Sequence, residues 1–302
     1  MATFTWEASL AASEKIHWTV DDLIGGDKKL DFTKSFLPES LARTEGLEFL
    51  LPVERRTLNQ IRGHEYLVTF GLVEEFILPF VLDHARPELS GDDYRTRALL
   101  TFATEEAKHI HLFKRFREEF TKGFGVVCDV IGPPEAVAEE VLSHSPLAVA
   151  LAILHIEWMT QRHFTDSVKD DGDIDPRFKS LLRHHWMEEA QHAKMDQLMV
   201  EALAATMTAD EIAGAVDEYL EIGAFLDAGL MQQVELNLDS FQRATGRTLT
   251  ESEAAAFREA QAGAVRWTYL GSGMTHPRFL ETLEKLATGH RAKIEDVAPH
   301  FC

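Results

Sequence analysis

One phrase occurs twice in this chain: Glu105-Glu106-Ala107-Lys108-His109 and Glu188-Glu189-Ala190-Gln191-His192, 83 residues apart. Each copy is preceded, 32 residues earlier, by a glutamate within a largely apolar stretch: Glu74 before Glu106, and Glu157 before Glu189. At a separation of three, Glu106 and His109 share one helix face, so a carboxylate and an imidazole reach the same point; Glu189 and His192 do the same. A single Glu-x-x-His would be weak evidence, since such pairs are common on exposed faces. Two copies with matched partners leave few folds open. The midpoint of Glu74 and Glu106 is residue 90, inside a Glu-Leu-Ser-Gly turn, and that of Glu157 and Glu189 is residue 173, inside Asp-Gly-Asp. In an antiparallel helix hairpin, residues equidistant from the bend sit at one height. Each lone glutamate therefore faces its partner phrase, roughly 24 Å along the axis from the bend.

The punctuation of the chain supports two such hairpins, over 52–122 and 145–206. Pro52 suits the first turn of a helix running to about His84. Ser90 is a candidate cap for a second helix that stops at Gly123. Ser145-Pro146 opens a third helix lasting to Lys169, the run 170–175 breaks it, and Asp175-Pro176 open a fourth reaching about Thr206. Thr208-Ala-Asp-Glu211 reads as a capping box for a fifth helix. A sixth follows Thr250, and His276-Pro277 opens a last short one ending near Gly289. Strand signals are scarce. The expected fold is all-α: an N-terminal segment (1–51) without a functional reading, a four-helix bundle (52–206), and a C-terminal helical extension (207–302) packed on it, as one domain overall.

Burial sharpens the reading of the acids. Glu74 lies between Phe70 and Ile77 with Leu67 and Val81 on the same face, and Glu157 interrupts Leu-Ala-Ile-Leu-His-Ile-Glu-Trp-Met. Ionised carboxylates in such surroundings cost several kcal/mol each unless paired or coordinated. Four at one level would repel strongly, and two divalent cations supply the compensation. The arrangement resembles the ferritin-like di-iron carboxylate proteins, in which two helices give one glutamate each and two give a Glu-x-x-His each. Carried over by position, the resemblance implies Glu74, Glu106, His109, Glu157, Glu189 and His192 as metal ligands. His185, four residues before Glu189 on the same face, makes His-x-x-x-Glu-x-x-His, which resembles the fourth-helix motif of the p-aminobenzoate N-oxygenase family. That family implies a seventh ligand, His185. Otherwise His185, in the run His184-His185-Trp186, supports a ligand from behind or faces solvent.

Some residues stay open at this level. Glu75 neighbours Glu74 as an alternative ligand, although the 83-residue repeat favours Glu74, as does Pro79, whose ring disturbs the helix at Glu75's carbonyl. Glu105 and Glu188 point about 100° away from their neighbours, towards solvent or towards the back of a ligand. His111, His155 and His163 read as core or surface histidines.

Composition excludes more than it assigns. Fifty acidic against 30 basic residues, net −20, speak against binding nucleic acid or an anionic membrane. The apolar runs near 76–82 and 146–154 are about half a membrane span. The first residues lack the basic opening of a signal peptide, and two distant cysteines give no pairing pattern. A cytoplasmic protein is expected. Zinc-protease, phosphate-loop and nucleophile-elbow motifs are missing. A carboxylate-rich set with two or three imidazoles favours two iron ions, without separating iron from manganese or a mixed pair. The resemblance implies a monooxygenase that uses O2, a small organic substrate and an electron donor protein or reductant, with N-oxygenation of an amine as one outcome. Iron storage, or a metal-free helical scaffold, are the alternatives. Storage subunits are little more than the bundle, whereas here about 95 residues follow residue 206, enough to wall a substrate pocket or to form a homodimer interface.

Overall fold

The computed structural model describes residues 4–286 and 289–302, and among them no strand is formed. Three short helices, α1 (Trp6–Ser13), α2 (Val20–Leu23) and α3 (Glu39–Ala42), precede the first long one, α4 (Pro52–Ala85). Next come α5 (Asp93–Phe124), α6 (Pro134–Leu142), α7 (Pro146–Arg162) and α8 (Pro176–Ala204). The chain finishes with α9 (Ala209–Thr245), α10 (Glu251–Arg266), α11 (Ser272–Met274), α12 (Pro277–Leu286) and α13 (His290–Val297). Helices α4 with α5 and α7 with α8 are the two hairpins, and α5 meets α8 between them. Helix α1 lies on the α5–α8 side, while α9 lies against α4 and α7. This is a ferritin-like four-helix bundle carrying additional helices.

The caps explain most of the boundaries. Asp175 accepts a hydrogen bond from the Phe178 amide at 2.6 Å, satisfying one of the free donors that open α8. Thr208 with Glu211, and Thr250 with Glu253, close full capping boxes on α9 and α10. Two stops differ from the sequence expectation. Asp92, not Ser90, caps α5, accepting from the Tyr94 amide at 3.0 Å, and residues Arg86–Ser90 form a 3₁₀ turn. Helix α5 also runs through Gly123 and ends at Gly125, whose φ of 82° is the left-handed stop. Gly123 serves a close approach instead, since a Cβ there would fall 2.2 Å from the Phe32 ring. Beyond Arg162 the chain continues as a π-helical turn, His163–Val168, to Lys169. The expected last helix begins at Pro277; residues 287–288, just before its expected end near Gly289, lie outside the described residues. Helices α1–α3, α6 and α13 were not anticipated.

The N-terminal segment reads as irregular because most of it is loop, yet it is built into the core. Leu10, Trp18, Leu23, Ile24 and Phe36 are buried in the main hydrophobic cluster, each stabilising by about 1.5–3 kcal/mol. Buried loop backbone needs partners, and bundle side chains supply them. The Asn59 carbonyl accepts from the Phe36 and Leu37 amides, Gln60 donates to the Phe32 and Lys34 carbonyls, and Asp175 accepts from the Asp31 amide. Among the described residues, no helix is long and apolar enough to cross a membrane.

Candidate metal centre

Mid-bundle, the lone glutamates and the two phrases converge. Glu74, His109, His185 and Glu189 offer one ligand atom each within 4.8 Å of one another, and so do Glu106, His109, Glu189 and His192. Glu157 stands outside both groups, beside Glu189. All seven residues are at most 2 % exposed. Glu189 is common to both groups and turns one oxygen to each. Its Oε1 lies 3.0 Å from His109 Nδ1 and 2.6 Å from His185 Nε2, and its Oε2 lies 2.7 Å from His192 Nδ1. Glu106 Oε1 lies 2.8 Å from His192 Nδ1, and Glu74 Oε1 lies 3.0 Å from His185 Nε2.

These donors are crowded together but poorly satisfied. Both Glu106 oxygens, Glu74 Oε2, Glu157 Oε2, Glu189 Oε1 and His109 Nδ1 are buried with no aligned hydrogen-bond partner. Buried polar atoms are ordinarily paired, and an unpaired charged one costs more than a neutral one. Six such atoms at one point fit a pair of cations, and the mixture of carboxylate oxygens with imidazole nitrogens suits iron or manganese.

Electrostatics within the chain tell the same story. Burial works against protonating His109 and His192, but the Glu189 charge and carboxylate hydrogen bonds outweigh it and hold both well above the ordinary histidine range. Burial alone would raise Glu189; the charges of His185, His192 and His109 pull it well below the usual carboxylate range. Glu157 goes the other way, raised by burial and then by the charge of Glu189 and a hydrogen bond to it. Protons thus hold the charges apart at positions that cations would take over.

The outer faces of the two histidines are held crosswise. His109 of α5 donates from Nε2 to Glu188 of α8 at 2.8 Å, and His192 of α8 donates from Nε2 to Glu105 of α5 at 2.8 Å. With Nε2 so engaged, each imidazole turns Nδ1 to the centre, the nitrogen that a bound cation would take in place of the proton. The two acids that sequence left between solvent and support are therefore buried supports. Lys108 pairs with Glu188 and sits 4.0 Å above the Trp18 ring, which stacks on His109. The N-terminal segment thereby closes the α5–α8 side of the centre.

Residues 6–250 match the model of a family described as p-aminobenzoate N-oxygenase AurF. The chain belongs to this N-oxygenase family. It is an oxidoreductase of the di-iron oxygenase type, and nothing favours iron storage. No curated protein matches the chain. Among solved structures it is similar to an R2-like ligand-binding oxidase variant with an aerobically reconstituted Mn/Fe cofactor, at 13 % identity and TM-score 0.47, covering 88 % of this chain and 96 % of the other. Another variant of that oxidase, with an anaerobically reconstituted Mn/Fe cofactor, is similar at 12 % identity and TM-score 0.45, covering 88 % and 92 %.

For this N-oxygenase family member the remaining sequence candidates fall elsewhere. Glu75 is exposed, on the α4 face that lines an open groove with Arg117 and Glu118 of α5. Glu74→Ala should lower metal affinity by at least about tenfold, whereas Glu75→Ala should leave it unchanged in an anaerobic ferrous titration; the reverse result would put the α4 ligand one residue later. His111 is exposed. His155 is buried and occupied by Tyr219 and the Tyr269 carbonyl, and His163 by Tyr66 and Ser272. One residue escaped the sequence reading altogether. Asp196, one turn beyond His192, is fully buried with both oxygens unpartnered. Burial raises its pKa far above the ordinary range, with Glu106 and Glu189 adding to the effect and His192 opposing it. Its repeat counterpart, 83 residues earlier, is Phe113, so the duplication gave no hint of it; the apolar surroundings, Met195 to Val200, were the available signal.

Proposed function

We propose that the chain is a monooxygenase that places one atom of O2 on the nitrogen of a small amine, with Glu74, Glu106, His109, Glu157, His185, Glu189 and His192 holding two iron ions. The observation that carries this is the set of six buried, unpartnered donor atoms at mid-bundle. A manganese or mixed pair would be held by the same donors. When bound, the metal pair supplies electrons to O2. The overall balance is R-NH2 + O2 + 2 electrons + 2 protons giving R-NHOH + H2O, the electrons coming from a reductant or a donor protein.

The residues of the chain supply the rest. Glu105 and Glu188 orient His192 and His109, and the surrounding Phe70, Phe102 and Phe113 keep water out. We place the protein in the cytoplasm, in line with an acidic chain whose two cysteines are both free.

Anaerobic reconstitution with ferrous iron should plateau at about two metals per chain, since the donor set exceeds what one ion accepts. Reductant-driven turnover against a panel of amines should then release a hydroxylamine or a more oxidised nitrogen product. A plateau at one ion overturns the di-metal reading, and accumulation of hundreds of irons in a large assembly overturns the oxygenase reading in favour of storage.

A further inference from the structure

Between α4 and α7, the helices that carry the two lone glutamates, lies a cavity of about 420 Å³ walled on its far side by α9. Its inner wall includes Thr69, Val73, Ile156, Met159 and Tyr269, and its mouth includes Glu140 of α6 and Phe225 of α9. Val73 and Ile156 are the immediate neighbours of Glu74 and Glu157 in the chain. The Tyr269 ring, on a π-helical turn after α10, stands 6.3 Å from Phe70, and the Phe70 ring meets His185 edge-on at 5.5 Å. The cavity therefore backs onto the metal centre on the side opposite to Trp18. Its size suits a one- or two-ring molecule.

Its chemistry is distinctive for what the lining holds. Among the described lining residues there is no lysine, arginine or histidine, and the one carboxylate, Glu140, is exposed at the mouth. Two neutral hydroxyls, those of Thr69 and Tyr269, lie buried side by side there, and neither is held by an aligned hydrogen bond. A carboxylate entering such a space loses its hydration and gains no counter-charge, which costs several kcal/mol. It would also pass an acidic mouth on a protein of net charge −20. A neutral carbonyl, ether or hydroxyl loses far less, and either hydroxyl can meet it. The buried Arg62 that acts on Tyr269 is already neutralised by its pair with Glu65, and Lys114 and Arg117 line a separate open groove across Leu72 together with Glu75 and Glu118.

We infer that this cavity is the substrate pocket and that it selects an uncharged, mainly apolar aryl amine, its neutral polar group met by Tyr269 and Thr69, while rejecting aromatic carboxylates, including the p-aminobenzoate that gives the family its name. The word amine rests on the function proposed above; the preference for an uncharged molecule rests on the pocket alone.

The test is binding to the oxidised, metal-loaded protein without reductant, by calorimetry, using p-aminobenzoate and its methyl ester, which share the ring and the amine. The ester should bind at least about tenfold tighter, equivalent to about 1.4 kcal/mol. Leu226→Trp, which fills the cavity from α9, should abolish ester binding while metal content stays at two per chain. Should that variant fold poorly, Tyr269→Phe should weaken the ester by about two- to tenfold through loss of one hydrogen bond. Equal or tighter binding of the carboxylate overturns the selectivity, and ester binding indifferent to both substitutions overturns the location. If the ester binds as stated but is not oxidised at nitrogen when reductant and O2 are added, the proposed reaction fails while the pocket stands.

Discussion

Glu189→Ala should empty both metal positions. Its two oxygens are the only ones in the centre that approach all three inward-facing imidazoles, within 3.0 Å of His109, 2.6 Å of His185 and 2.7 Å of His192. Losing it deprives each donor group of a member and leaves the histidines without the charge that balances them. Outer supports of metal ligands are typically worth ten- to a hundredfold in affinity, and a ligand shared by two ions is worth more. Metal content after reconstitution and desalting, read by atomic absorption, should fall from about two per chain to well below one, and oxygen-dependent turnover should vanish with it. Retention of two metals would show that Glu189 is a bystander and that the centre lies elsewhere.

His185→Ala should separate metal binding from oxygen chemistry. His185 Nε2 approaches Glu189 and Glu74, and its ring is wedged between the edges of Phe70 and Phe113 at 5.5 and 5.0 Å. Six donor side chains remain after its removal, so both ions should stay. The position it vacates, however, opens to water inside an otherwise apolar wall. The reduced variant should still consume O2, but the visible absorption that follows should be lost or altered, and yield of oxidised product per O2 should fall by at least about tenfold, a barrier difference near 1.4 kcal/mol. Added imidazole, which fits the vacated slot, should recover part of the yield. His184 is the control: its Nδ1 donates to the Ser180 carbonyl at 2.7 Å on a half-exposed face, and His184→Ala should behave as the parent. If both variants match the parent, His185 is no ligand.

How far these residues were legible depended on periodicity. The glutamates and histidines that cluster at mid-bundle could be read because a repeated phrase on helices fixes both face and height; Pro52 marks a helix start by its fixed φ, and Asp175, Thr208 and Thr250 do so through local hydrogen bonds that need no tertiary knowledge. The same duplication also misled by omission. His185 corresponds to Phe102, which stacks on His192 at 3.9 Å, and Asp196 corresponds to Phe113. Where the halves diverge, in each case an aromatic ring in one against a titratable group in the other, the repeat cannot report. The N-terminal segment was illegible for a different reason. Its order comes from Asn59, Gln60 and Asp175, distant in sequence, so neither period nor cap announces that Trp18 will lie against His109. Ser90 and Gly123 show the limit of local signals too: a better-placed Asp92 and a glycine needed for the Phe32 ring decide the ends of α5.

The crosswise supports carry a last consequence for how such a chain can change over generations. Because Glu105 steadies His192 and Glu188 steadies His109, neither copy of the phrase is self-sufficient; each lends its acid to the imidazole of the other. A substitution at Glu105 is felt first in the fourth helix of the bundle, and one at Glu188 in the second. The two copies differ at Phe102 and His185, and at Phe113 and Asp196, positions that lie outside this exchange of acid for imidazole. At the acids and imidazoles themselves a change in one copy has to be met in the other, so the likeness of the two halves is tied to the supports they trade and not to either half alone.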